Sequence, residues 1–419
     1  MTTEKVCLPK AITTLDRIPY QPEDSGIHPP FGENTMTAKK PAHPPHWAKV
    51  QALDSALFEL ADNISILDVI APLNYKTQKQ TFFETNYKKS PTFTYKQNAI
   101  DSFQLKRKLY SLPVEKLKDE DLVNLYSDVI ESYADKVEQY NSIGTSNLVY
   151  DSLRYFGEPS EKDIRNAEFI LHLPASMNEK DPVPVNAKQL SKHLIAFAKE
   201  HGYEHQVKLD DKMIANALVT GLTVKINTAA QVTETEMRAL AHHELGVHLV
   251  TTLNARNQPL KVLSLGCPVN TMTQEGIAIL SEYLAGCMTL PRLKILALRV
   301  LAVKSMLQEK DFKRTFLMLK EEYQVSDNDA FTITARVYRG GGFTKDYLYL
   351  QGLHQMLNAY ETETNFQNLL CGKVSLEHLP IISRLVGKGY LNKPKYITPA
   401  IASPSVDDPI QKFIVHAIM

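Results

Sequence analysis

Cysteine is scarce and scattered in this chain. Its four copies, Cys7, Cys267, Cys287 and Cys371, include no CxxC pair, which argues against a disulfide framework and a thiolate metal site and predicts reduced thiols. Neither sign of charge prevails: 47 Lys and Arg balance 47 Asp and Glu, so no global field draws the protein to nucleic acid or to an anionic membrane. Long apolar runs are also missing. The best stretch, 293–307, is interrupted by Lys294, Arg299 and Lys304 and falls short of the ~20 residues that span a bilayer. The N-terminus lacks the apolar core of a secretory signal, and the expected location is the cytoplasm. No internal repeat is present. The glycine run Gly340-Gly341-Gly342 has no Lys-Ser or Lys-Thr after it, so it is not a P-loop.

What is present suits a globular enzyme. With 419 residues, 43% of them hydrophobic, the chain can bury a large core. Residues 1–45 are proline-rich, with Pro29-Pro30 and Pro44-Pro45, and read as an extended or mobile lead-in. A single catalytic domain is expected over 46–390, its front part (46–200) mainly helical and its rear part (201–390) holding the site. The stretch 391–419, with Pro394, Pro399, Pro404 and Pro409, reads as an irregular tail. Apolar spacing predicts helices over 46–69, 120–140, 187–200, 273–286, 293–308, 312–323 and 346–360. Leu222-Thr-Val-Lys-Ile-Asn227 alternates and reads as a strand.

The chemistry concentrates in Ala241-His-His-Glu-Leu-Gly-Val-His248. Neutral imidazole and carboxylate suit Zn²⁺, and a catalytic zinc keeps three protein ligands plus one open position for water, whose pKa falls to about 7. A further carboxylate must then take the proton and pass it on. This assigns His243, His248 and Glu275 as ligands of one zinc ion and Glu244 as the base. The histidines stand at i and i+5, whereas an undisturbed metalloprotease helix uses i and i+4. Five steps on an α-helix rotate by roughly 140°, too far to share an ion. A π-type turn at Gly246 would restore the alignment. Thr233-Glu-Thr-Glu236 fits a capping box that starts this helix. The preceding strand, if at a sheet edge, would offer an extended substrate a pairing partner. The expected fold is therefore α+β and mainly helical, a zincin-like metallopeptidase core with a short sheet beside the metal-binding helix. The bland reading is a capped, solvated helix with two ordinary histidines.

Thr273-Gln-Glu-Gly-Ile-Ala-Ile-Leu-Ser-Glu282 strengthens the metal reading. Glu275 and Glu282 lie on nearly one helical face about 10 Å apart, so only one can join the same ion. Glu275 is preferred because Gly276 beside it permits tight helix packing; Glu282 is the fallback. Arg336-Val-Tyr-Arg-Gly-Gly-Gly342 is the other cluster with chemical content. Arg336 or Arg339 is suited to a substrate carboxylate through two parallel bonds, and Tyr338 to donating toward a developing oxyanion. The bland alternative is a strand ending in a flexible turn. Lys345 and His354 are weaker site candidates.

His243-Glu-Leu-Gly-Val-His248 and Gln274-Glu-Gly-Ile-Ala278, with Arg336-Val-Tyr-Arg-Gly-Gly-Gly342 and Phe343-Thr-Lys-Asp346 downstream, resemble the microtubule-associated tyrosine carboxypeptidases and their bacterial relatives. Those relatives carry the label flavohaemoglobin expression-modulating QEGLA-motif proteins; Ile277 stands here in place of its Leu. The likeness runs from about Trp47 to about Tyr390 and includes Ser90-Pro-Thr-Phe-Thr-Tyr95. It implies the same zinc ligands, His243, His248 and Glu275, and the same catalytic Glu244. Eukaryotic members remove the C-terminal tyrosine of α-tubulin, but tubulin is not inferred as partner, since no long basic N-terminal extension is seen.

The leading expectation is a zinc carboxypeptidase acting on a protein or peptide C-terminus. The alternatives are a non-catalytic metal-binding regulator and a zinc amidase with a non-peptide substrate. An intact Glu244 favours chemistry, because a retired site is free to lose its base while keeping its ligands.

Overall fold

Apolar periodicity and caps explain most of the architecture of the computed structural model, which describes residues 46–96, 100–174, 184–211 and 213–418. The lead-in expected over 1–45, Cys7 included, lies outside the described residues. Helix α1 (Trp47–Ala61) buries Val50, Leu53 and Leu57 at helical spacing. It ends sooner than expected. A turn at 62–65 separates it from the short helix Ile66–Val69. Helix α2 (Glu120–Ser142) is capped by Asp119, carries Glu120 and Asp121 in its first turn, and buries Leu122, Leu125, Tyr126 and Val129. Helix α3 (Leu148–Phe156) follows, and α4 (Ala187–Glu200) begins on an Asn186 capping box.

The sheet is small. Strands β1 (Gln206–Asp210), β2 (Ala217–Thr220) and β3 (Thr223–Asn227) stand in the order β1-β3-β2, with β3 parallel to β1 and antiparallel to β2. The strand expected over 222–227 is thus central, not an edge. Gly221, at φ 57°, turns the chain between β2 and β3, and β2 is one of the two edges. The long helix α5 runs without interruption through Glu234–Leu240, a π-helical segment Ala241–Leu249, and Val250–Arg256. Thr233 and Glu236 form the capping box. The i+5 interval is accommodated as the spacing requires, by π geometry.

Helices α6 (Asn270–Leu284), α7 (Leu290–Glu309), α8 (Asp327–Tyr338) and α9 (Leu348–Thr362) complete the main body. A Cβ on Gly276 of α6 would meet the Gly352 carbonyl oxygen of α9 at 2.5 Å, so these two backbones cross as closely as glycines allow. The π segment lies between two cores: Val247 packs into the large helical one, while Ala241, Leu245 and Leu249 pack with Leu190, Leu194, Val224 and Ile226 under the sheet.

The stretch 391–419 is not wholly irregular. Pro399 and Pro409 begin the helices Pro399–Ala402 and Pro409–Ala417, using proline's fitness for a first helical turn, and Ala400, Ile401 and Val415 are buried. Asn254 of α5 donates to the Tyr396 carbonyl and accepts from the amides of Lys395 and Tyr396, which ties this stretch to the metal helix. Among the described residues, no helix is long and apolar enough to cross a membrane.

Candidate metal centre

The π turn brings the imidazoles of His243 and His248 together, ring centroids 5.1 Å apart, and α6 presents Glu275 to both. Nε2 of each histidine lies 3.6 Å from Glu275 Oε2. One donor atom from each of the three residues fits within 4.8 Å. Ligands ~2.1 Å from a tetrahedral ion stand about 3.4 Å apart, so the two imidazole–carboxylate separations match zinc-like coordination to a few tenths of an ångström. Two imidazole nitrogens and a carboxylate oxygen are also the right donors. His243 and His248, together with Glu275, are a group able to hold a metal ion.

Glu282, the fallback ligand, stands on the opposite side of His243. His243 Nδ1 hydrogen-bonds to Glu282 Oε1 at 2.7 Å, and Arg292 donates to both Glu282 oxygens at 2.8 and 3.0 Å. This is the carboxylate–histidine arrangement that fixes a ligand's tautomer and orientation. Lys345 plays a matching part for Glu275: its ammonium donates to Oε1 at 2.8 Å and to the Tyr349 hydroxyl at 2.9 Å, leaving Oε2 for the imidazoles. From sequence Lys345 is a weak candidate, and Arg292 and Tyr349 give no signal. The i, i+4 spacing of Lys345 and Tyr349 is the trace that sequence offered.

Glu244 sits beside this group. Its Oε1 is 4.0 Å from His243 Nε2, and its Oε2 accepts a hydrogen bond from the Val219 amide of edge strand β2 at 3.0 Å. A backbone donor leaves no mark in sequence. Burial raises the Glu244 pKa, with His243 and His248 only partly offsetting it. Burial also opposes charge on Glu275 and Glu282. In Glu275 the ammonium of Lys345 and the two imidazoles outweigh it and hold the carboxyl well below its usual range; in Glu282, Arg292 and His243 bring it down to about 2. Burial disfavours a charged His243, yet the nearby carboxylates of Glu275 and Glu282 prevail and push it up to about 10. Three carboxylates around two imidazoles form a centre that attracts positive charge, as a proton or as a metal ion.

The Arg336–Gly342 region does not take the form of the bland alternative. It is the end of helix α8 and not a strand, and the glycines that follow all have positive φ, at 71°, 109° and 128°. Their freedom serves packing against 145–149, and Gly340 N donates to the Tyr95 hydroxyl at 2.6 Å. Arg336 is not available to a substrate: its fork grips both oxygens of the fully buried Asp346. Arg339 approaches Asp346 at 3.9 Å, lies over the Phe343 ring, and keeps a buried Nε without a partner. Arg299 likewise has an unpartnered Nε and stacks over Tyr349 at 5.0 Å. Burial, then Arg336, lowers the Arg299 pKa to about 10. Tyr338 is not brought to the centre. Its hydroxyl meets Thr315 Oγ1 at 3.0 Å, because two steps along an α-helix turn it roughly 200° away from Arg336. His354 is half-buried and takes no part in the group.

A comparison with individually curated proteins gives no match. A family profile described as microtubule-associated tyrosine carboxypeptidase matches residues 80–418, a span that contains the histidines, all three glutamates and the arginine cluster. The chain belongs to the microtubule-associated tyrosine carboxypeptidase family.

Proposed function

We propose that this protein is a zinc-dependent carboxypeptidase that removes one residue, tyrosine among the candidates, from the C-terminus of a protein or peptide in the cytoplasm. The observation that supports it most is the convergence of His243 and His248 on Glu275 Oε2 with Glu244 alongside. A zinc ion bound there would act as a Lewis acid and lower the pKa of a water to about 7. Glu244, the proposed base, lies 4.0 Å from His243 Nε2 and would accept a proton from the attacking water and pass it to the leaving amine. Val219 holds the carboxylate in position, and the free side of β2 is available to an extended substrate in a zincin-like arrangement. Glu282, hydrogen-bonded to His243 Nδ1, would favour a proton there and leave Nε2 as the atom that could hold a metal. Arg339 and Arg299, each with an unpartnered Nε, supply the positive field that favours a free terminal carboxylate.

The test is metal analysis of purified protein together with a digest of a C-terminal peptide library read by mass spectrometry. Zinc near one equivalent and single-residue trimming of free, but not amidated, termini are expected. Glu244→Gln should keep the metal and lose turnover by about 10²–10⁴-fold. Undiminished activity in that variant, or cleavage inside long chains, overturns the reading.

A further inference from the structure

A second cavity, of about 200 Å³, lies where α2, α3 and the first turn of α6 meet. Its walls include Ile64, Ile66, Phe156 and Phe343, so much of its lining is apolar or aromatic. Three lysines also line it, Lys136, Lys345 and Lys373, against a single acid, Asp62, which is exposed to solvent. Lys345 is already matched by Glu275. Lys136 has no carboxylate partner: its ammonium rests 4.0 Å from the Tyr133 ring and 5.9 Å from that of Tyr155.

Two more features of the cavity point to an anion. Gln139, only 1% exposed, lines it with neither its Nε2 nor its Oε1 partnered. A buried amide in that state needs a partner from outside the protein. In addition, the N-terminus of α6 opens here through Asn270 and Thr271, and no side chain caps it. The residue in the N-cap position, Val269, holds φ 47°, a conformation a β-branched residue rarely adopts. Helix N-termini favour negative charge through their unpaired amides and dipole.

We infer that this cavity binds a small organic carboxylate with an apolar body, its head group met by Lys136, the Gln139 amide and the first turn of α6. Its volume is below the 300–1,000 Å³ typical of ligand sites, which limits the occupant to about one side chain's worth of atoms. The ligand would be felt at the metal centre: Lys345 lines the cavity and holds Glu275, and Glu275 stands only about 6–8 Å along α6 from the first turn. Two sources share this chemistry, the terminal residue of a peptide and a free carboxylic acid; the former rests on the carboxypeptidase reading and the latter does not.

The experiment uses the full-length metal-loaded protein and 3-phenylpropionate, with 3-phenylpropanamide as its uncharged counterpart, titrated by calorimetry. The acid should bind saturably and at least tenfold more tightly than the amide. Lys136→Met, which keeps the apolar stem, and Gln139→Leu should each weaken the acid at least tenfold, with metal content and melting temperature unchanged as controls. Equal binding of acid and amide, or no saturable binding to the wild type, overturns the inference without any variant having to fold. Inhibition kinetics then separate the sources: competition with a peptide substrate identifies the terminal residue, and non-competitive behaviour identifies a free ligand. If the wild type cleaves no peptide yet binds the acid through Lys136, the carboxypeptidase reading fails and the cavity assignment stands.

Discussion

Two charge clusters flank Lys345 and differ in how their charges are matched. In the first, Glu244, Glu275 and Glu282 surround two imidazoles. In the second, Arg299, Arg336 and Arg339 surround one carboxylate, Asp346. Little water reaches either cluster, so a charge there is stabilised chiefly by the side chains around it. The acid-rich half includes a group able to hold a metal ion, and the guanidinium-rich half has two arginine Nε atoms, of Arg299 and Arg339, without partners. Counted with Lys345 and Arg292, which pair with Glu275 and Glu282, the first cluster is left with Glu244 beside two imidazoles, whereas the second keeps three guanidiniums around one carboxylate.

The comparison can be broken most sharply on its acidic side. His248→Ala and Glu275→Ala should each reduce zinc affinity by at least about a hundredfold, because a three-ligand site tolerates no vacancy. Glu282→Ala, which reaches the ion only through His243, should reduce it by about 10–100-fold. Dialysis against graded chelator followed by metal analysis reads both. Should Glu282→Ala strip the ion while Glu275→Ala retains it, the two carboxylates have exchanged roles.

On the basic side, Asp346→Asn leaves Arg336 buried without its partner. Such a vacancy costs about 3–5 kcal/mol, visible as a lowered denaturant midpoint. An unchanged midpoint would mean that the guanidinium surplus is already neutralised by something else.

A smaller effect follows from pH. Since Glu275 and Glu282 push His243 up to about 10 in the metal-free centre, an entering metal must displace one proton at neutral pH. Apparent zinc affinity should therefore rise about tenfold per pH unit between about pH 7 and pH 9, and fall as the medium is acidified. Calorimetry in buffers of different ionisation enthalpy counts the proton; release of none would show that the acid-rich half does not hold one.

The smallest effect concerns Gly246. A Cβ there meets nothing nearer than Pro399 Cδ at 3.7 Å, an ordinary contact, so the glycine is not what permits the π turn. Gly246→Ala should keep its metal and change stability by no more than about 1 kcal/mol, in the stabilising direction that helix propensity favours. Loss of metal in this variant would restore to Gly246 the part that sequence reasoning gave it.

The acid-rich half was legible because ligation restricts residue types. An interval of five between His243 and His248 forces a statement about helix geometry, and the Thr233–Glu236 box sets the helix start. Helix extents over 120–140 and 187–200 were equally readable, since caps and apolar spacing are local. The basic half was not. Which arginine meets Asp346 depends on how α8 packs on the turn before α9, and giving Arg336 and Tyr338 parts in one site overlooked that two steps on a helix point them in opposed directions. The prolines after 391 misled for a related reason: the same residue breaks a helix inside it and starts one at its first turn.

The crossing of α6 and α9 bears on how such a centre can change over generations. A Cβ at Gly276 runs into the Gly352 carbonyl, and one at Gly352 runs into the Met272 carbonyl, both at 2.5 Å. The obstacle on each side is main chain, so no change of the opposing side chain relieves it. Substrate pocket, metal affinity and base strength are all open to stepwise revision by ordinary substitutions. This contact is not: a side chain at either glycine would have to push the two backbones apart, and with them Glu275 from Lys345.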